Sequence, residues 1–265
     1  MCGIFGYALR SPLPLSMAFK VLELLEVHQY PHEPKPVGGY GAGVAILSKD
    51  GKVILEKVGK VEGSPAHYLS HVVKVREASV LVGHVRMPSP EFMGTAVFRE
   101  TAQPYLAKCY GNLTIVSAHN GKVTNYMEIM ESLDKNHVFE SEAVGLIDSE
   151  VIPHLFEKLC REKASVLEAL DIFFATLDGN NTLSLLQITK DNMFLHFLHK
   201  GKTRGLRVWT NDVGEVIFCS RNEPLMQVFS DVILKGNFSE KAAIPYNEDA
   251  SLKLSLPIKF WQPQK

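Results

Sequence analysis

Cys2-Gly3-Ile4-Phe5-Gly6-Tyr7-Ala8-Leu9, directly after Met1, is a run of small and apolar residues without a charge. A short apolar run with no polar alternation reads as a buried strand. The next strands lie at Val44–Ser48 and Val53–Gly59, joined by the hairpin pair Asp50–Gly51, then at Ser79–Val85 and Leu113–His119. Ser16–His28 carries Met17, Val21, Leu22, Leu24 and Leu25 at helical spacing, with Ser16 as its N-cap. Ser64–Glu77 reads as a second helix, with Ser64 capping and Pro65 in the first turn.

From Asp148 the pattern shifts. Helices are expected over Asp148–Glu162 and Ser165–Leu177, followed by strands near Thr182–Thr189, Met193–His199, Leu206–Thr210 and Val216–Ser220. Sequential hairpins with helices grouped in pairs predict packed antiparallel sheets, helices outside, in an α+β fold. No low-complexity linker or repeat divides the chain, so residues 1–265 read as one domain. From about 240 prolines at 245, 257 and 263 interrupt the sequence, which predicts an irregular tail packed along the surface.

The composition excludes several classes of function. With 28 Lys and Arg against 29 Asp and Glu, the net charge is −1, without the basic excess of a nucleic-acid or anionic-membrane surface. No apolar run approaches the roughly 18 residues of a membrane span. A secretory signal is not expected: the first basic residue is Arg10, and Pro12 and Pro14 follow it. The cysteines at 2, 109, 160 and 219 are too few and scattered for a disulfide framework or a CxxC metal site. A reducing cytosol is the expected compartment. Gly201-Lys202-Thr203 lacks the upstream glycine of a P-loop, and His67 with His71 reads as a solvated helical face. Neither cofactor nor metal is expected.

Four segments carry chemistry. Removal of Met1 would leave thiol and α-amine together on Cys2. An α-amine has a pKa of about 7.7–8.0, so near neutrality it can take the thiol proton, supplying nucleophile and base from one residue. Asn120-Gly121 is a common tight-turn pair, but a carboxamide and a glycine N–H at a strand end also have the composition of an oxyanion hole. Arg86 ends an apolar strand and needs a partner, either an internal carboxylate or that of a substrate. Asp148-Ser149-Glu150 opens a helix, as a cap or as a holder for an α-ammonium.

Taken together, Cys2-Gly3-Ile4-Phe5-Gly6, Gly83-His84-Val85-Arg86, Ala102-Gln103-Pro104-Tyr105, His119-Asn120-Gly121 and Asp148-Ser149-Glu150 resemble, in order and spacing, the class II glutamine amidotransferases. These are N-terminal nucleophile (Ntn) hydrolases, and the glutaminase domains of amidophosphoribosyltransferase and glutamate synthase are the most similar in flavour. The resemblance covers roughly residues 2–160. It implies a four-layer αββα sandwich of two antiparallel sheets flanked by helices. It makes Cys2 the nucleophile, Asn120 and Gly121 the oxyanion donors, and Arg86 and Asp148 the clamps for the glutamine α-carboxylate and α-ammonium. Ser89 stands where the family usually has a threonine near the carboxylate. The sequence departs from the family at His28-Gln29-Tyr30-Pro31, which lacks a loop arginine, and at Met87-Pro88, both expected to border the pocket.

This length leaves no room for the acceptor domain to which such glutaminases are usually fused. A separate ammonia-accepting synthase subunit is therefore the expected partner. The alternatives are a free-standing hydrolase of γ-glutamyl amides or peptides, and a non-catalytic scaffold that kept the fold.

Overall fold

The computed structural model describes residues 2–48 and 50–261. Met1, whose removal the chemistry above requires, and Pro263 lie outside the described residues. The chain runs β1 (Gly3–Pro14), α1 (Leu15–Val27), β2 (Ala42–Leu47), β3 (Val53–Val58), α2 (Pro65–Val72), β4 (Glu77–Val85), β5 (Tyr105–Ala107), β6 (Thr114–Gly121) and α3 (Tyr126–Ser132). It continues with α4 (Val151–Glu162), α5 (Val166–Thr176), β7 (Asn181–Ile188), β8 (Met193–Lys202), β9 (Leu206–Thr210), β10 (Val216–Cys219), α6 (Asn222–Lys235), β11 (Ser239–Ile244) and β12 (Asp249–Pro257). No described helix is long and apolar enough to cross a membrane.

The strands form two antiparallel sheets, ordered β11-β9-β10-β1-β4-β2-β3 and β12-β8-β7-β6-β5. Strand β1 is central in the first. Phe5, Tyr7 and Leu9 face helices α1 and α6 on the outside, while Ile4 and Ala8 face the second sheet. Both faces are buried, which is why this strand reads as a continuous apolar run. Each fully buried Phe or Ile here contributes about 1.5–3 kcal/mol. A third cluster packs α4 and α5 on the far face of the second sheet through Phe156, Phe173 and Leu185. The layers are therefore helix, sheet, sheet, helix: the expected α+β sandwich.

Several local expectations change. Helix α1 begins at Leu15, before Ser16, and Pro14 precedes it. The Leu15 N–H donates to Arg76 O at 2.9 Å, so a tertiary contact replaces the serine cap. The second helix is capped as expected, Ser64 Oγ accepting from His67 N at 3.0 Å, but it ends at Val72. Beyond it the chain turns extended toward β4, as suits the β-branched Val72, Val73 and Val75. Asn120-Gly121 is not a hairpin turn: Gly121 pairs with Asn181 across the β6–β7 ladder. The segment after 240 is not irregular where it is described. It forms β11 and β12, and β12 pairs with β8 from Asp249 to Pro257. Leu252, Leu254 and Leu256 alternate with polar residues, a strand period that the flanking prolines obscure. Gly3 is a packing position. A Cβ there would come within 2.8 Å of Val37 and Leu25, so its smallness lets α1 pack on β1.

Candidate active site

The start of β1 is pinned on both sides. Ile4 N donates to Ser220 Oγ (3.1 Å) and Ser220 N to Ile4 O (2.9 Å), while Gly3 pairs with Val85 of β4. That register sets half-buried Cys2 beside the end of β4, where Arg86 and Met87 follow. The Met87 N–H donates to Cys2 Sγ at 3.3 Å.

Arg86 continues the ladder beyond β4: its N–H donates to Gly41 O (2.7 Å) and its carbonyl accepts from Tyr40 N (3.0 Å). Its guanidinium donates to Thr101 Oγ1, and to Thr95 Oγ1 at 3.1 Å. The residue is 3 % exposed, yet among the described residues its side chain meets no carboxylate in an ion pair. Burial lowers its pKa, while Tyr105, Cys2 and Asp148 act in the opposite direction.

Asp148 lies in the 3-10 turn Asp148–Glu150 before α4 and is 5 % exposed. Its Oδ2 accepts from Val123 N at 2.9 Å. Burial raises its pKa, His119 and the Val123 N–H oppose that shift, and Cys2 adds to it. Thus a cation and an anion, both buried and without an ion-pair partner among the described residues, lie within electrostatic reach of one thiol.

Asn120 is fully buried, and neither its Nδ2 nor its Oδ1 has a hydrogen-bond partner. On β6 it shares the face of Val116 and Ala118, which points between the sheets, as do Ile4 and Ala8 of β1. His84, on the same inter-sheet face of β4, holds the two sheets together here: its Nε2 donates to His119 O at 3.2 Å. Gln103 brackets the same backbone, accepting from His119 N (2.7 Å) and donating to His119 O (3.2 Å). Gly121 has φ +140°, and a Cβ there would strike Asn180 O at 2.1 Å, so a side chain cannot be accommodated.

The positioning roles of His119 and Asn181 escaped the reading of the sequence. His119 Nε2 lies 2.9 Å from Asn181 Oδ1, whose own amide group donates to Asp178 O and Gly179 O. The imidazole therefore donates through Nε2 and accepts at Nδ1 from Ser149 Oγ (2.8 Å). Burial lowers its pKa to about 4, so it stays neutral and ties the Asn120 strand to the Asp148 turn. Ser89 precedes the 3-10 turn Pro90–Thr95, and the hydroxyls on the Arg86 guanidinium are those of Thr95 and Thr101. Lys122, just past Gly121, ion-pairs with Glu91 of that turn at 2.6 Å.

A second charged cluster lies within electrostatic reach of the thiol. Glu33 Oε1 accepts from Arg204 Nη1 and Arg221 Nη2, and its Oε2 accepts from Tyr30 N at 2.8 Å. Arg221 lies 4.4 Å from the Tyr30 ring centre and 4.6 Å from that of Tyr246. Charged Cys2 would act on Arg204. The loop without the family's arginine thus receives two guanidiniums from distant segments. Glu33 and Arg204 gave no local signal in the sequence.

The fold is similar to two solved structures. One is the allosteric regulatory enzyme of purine biosynthesis, with a TM-score of 0.60 and 16 % identity over 96 % of this chain and 48 % of that one. The other is glutamine phosphoribosylpyrophosphate amidotransferase of B. subtilis, with a TM-score of 0.58 and 18 % identity over 96 % of this chain and 49 % of that one. In sequence, the glutamine–fructose-6-phosphate aminotransferases (isomerizing) of Sulfurisphaera tokodaii and Aquifex aeolicus are each 32 % identical to this chain. Those matches cover 68 % and 74 % of this chain, but only 27 % and 29 % of the relatives' length. Residues 95–227, half of the chain and including Asn120, Gly121 and Asp148, match the glutamine amidotransferase domain family. The chain belongs to the class II glutamine amidotransferases, of the Ntn type.

Proposed function

We propose that this domain hydrolyses the side-chain amide of glutamine through a thioester on Cys2. The observation that carries the proposal is the pair of unmatched buried charges, Arg86 and Asp148, both within electrostatic reach of the thiol. An isolated buried charge is very costly, and a zwitterionic amino acid supplies both missing partners. Arg86 takes the α-carboxylate and Asp148 the α-ammonium. Ser89 supplies a hydroxyl near the α-carboxylate.

The α-amine freed by loss of Met1 takes the Cys2 proton, and the thiolate attacks the amide carbon. Asn120 Nδ2 and the Gly121 N–H receive the developing oxyanion, which gives the otherwise unpartnered carboxamide its hydrogen bond. The ammonium returns its proton to the leaving nitrogen. Ammonia departs, water attacks the thioester under the same base, and glutamate is released.

The ammonia is passed to a synthase, as a separate subunit or domain. The changed surroundings of the thiol, with Met87 against Cys2, support a second reading: a hydrolase of γ-glutamyl amides or peptides working by itself. Comparing glutamine with γ-glutamyl peptides, with and without added synthases, separates them. Turnover of glutamine that rises with a partner favours the first, and robust partner-independent turnover of peptides the second. No turnover of either, equal in wild type and Cys2→Ala, refutes both. The chain acts as one domain in this reading, because β10 from its second half completes the sheet around β1. Four free cysteines support a reducing compartment such as the cytosol.

A further inference from the structure

We propose that Cys109, His137, His154 and Glu157 form a closed tetrahedral site for zinc, separate from the thiol chemistry at Cys2. Sequence spacing hides it, because the four residues come from three segments. Cys109 follows β5, His137 lies in the loop after α3, and His154 and Glu157 share one face of α4 at i, i+3. One donor atom from each lies within 4.8 Å of all the others. His137 Nδ1 to His154 Nδ1 is 3.2 Å, Cys109 Sγ to His154 Nδ1 is 3.4 Å, and His137 Nδ1 to Glu157 Oε2 is 3.7 Å. Zinc–ligand bonds of about 2.0–2.3 Å at tetrahedral angles separate their ligand atoms by roughly 3.3–3.6 Å. The measured edges cluster around that range.

Hydrogen bonding alone does not satisfy these groups. His154 Nδ1 has one lone pair, and both the Cys109 thiol and the His137 ring converge on it. Glu157 Oε1 is occupied, accepting from Cys109 N (2.7 Å) and Tyr110 N (3.1 Å). Its Oε2 is buried and accepts no hydrogen bond, although it points into the cluster. Both Nε2 atoms are buried without partners, so no hydrogen bond holds a proton on either Nδ1.

The charges also balance. Zinc displaces the Cys109 proton to solvent, and the dication then meets one thiolate, one carboxylate and two neutral imidazoles. Soft thiolate and imidazole in tetrahedral array select zinc over magnesium or calcium. With four protein ligands no position remains for substrate, so the site is structural. It fastens the loop holding His137 to α4, the helix that starts from the Asp148 turn. Glu150 of that turn accepts from Ser141 N at 2.9 Å, just beyond the same loop.

The test is metal content and cobalt spectroscopy on the full chain. Protein expressed with zinc is expected to carry it in equimolar amount. After chelation and cobalt(II) addition, it should show the intense absorption of a tetrahedral ion with a thiolate-to-cobalt band. Cys109→Ser should lose the thiolate band and His137→Gln should weaken the tetrahedral absorption, whereas Cys2→Ala should retain both. Circular dichroism checks that each variant is folded, and zinc content of the wild type gives an answer even if a ligand variant fails to fold. Wild-type protein without stoichiometric zinc and without a cobalt spectrum would overturn the proposal. So would a thiolate band that survives Cys109→Ser or disappears in Cys2→Ala.

Discussion

Two groups of buried charge lie within electrostatic reach of Cys2, one complete and one open. Arg204 and Arg221 share Glu33 and are capped by Tyr30 and Tyr246. Arg86, equally buried, has two threonine hydroxyls, and Asp148 has a backbone N–H donor, that of Val123. A closed ion cluster holds a loop in place. An open pair lowers stability until something of opposite charge arrives, which is how a binding site differs from a structural one. Adjacent residues on β6 repeat the contrast: His119 has partners at both ring nitrogens, and Asn120 has none.

The contrast can be broken by mutation. Cys2→Ala removes the proposed nucleophile and should lower glutamine hydrolysis by on the order of 10⁴-fold or more, without loss of fold. Glu33→Gln leaves two buried guanidiniums without their carboxylate and should cost about 3–5 kcal/mol in denaturant unfolding. A neutral outcome would mean the triad is not the closed element described above. Asn120→Ala should reduce kcat about 10²–10³-fold with little change in KM, since the oxyanion exists only during reaction.

Arg86→Met should act oppositely to Glu33→Gln. Stability should be unchanged or higher, while KM for glutamine rises by about 10- to 100-fold, the equivalent of one charged hydrogen-bonded contact. A large stability loss would make Arg86 structural. The smallest effect concerns pH. Burial raises the Asp148 pKa, so its folded form gains stability as pH falls through that value, and its charge lowers stability at neutral pH. Asp148→Asn should therefore be slightly more stable than wild type at pH 7. KM of the wild type should rise as acid neutralises the carboxyl, and this limb should be absent in the variant.

Much of this was legible in the sequence. The apolar run at Cys2–Leu9, the hairpin at Asp50–Gly51 and the Ser64 cap are local signals, and they lie where expected. The candidate residues of the site could be named from the order and spacing of the motifs shared with the class II glutamine amidotransferases. What stayed hidden depends on long-range contact. Glu33 meets Arg204 and Arg221, residues more than 170 positions away, and nothing near Glu33 announces it. Thr95 and Thr101 hold Arg86 because a turn folds back over it, whereas Ser89, nearer in sequence, does not. The strands beyond residue 240 were masked by proline, which ends β12 and interrupts no ladder.

Labelling with a glutamine analogue that carries an electrophile at the side-chain position, followed by intact mass and peptide mapping, tests the central claim most directly. It requires the free Cys2 amine, the thiol, and the Arg86 and Asp148 clamps together. The expected product is one adduct on Cys2 of a chain that has lost Met1, with Cys109, Cys160 and Cys219 unmodified. Burial pushes the thiol pKa of the last two to about 12, which keeps them unreactive. Labelling of another cysteine, or full activity in protein that retains Met1, would contradict it.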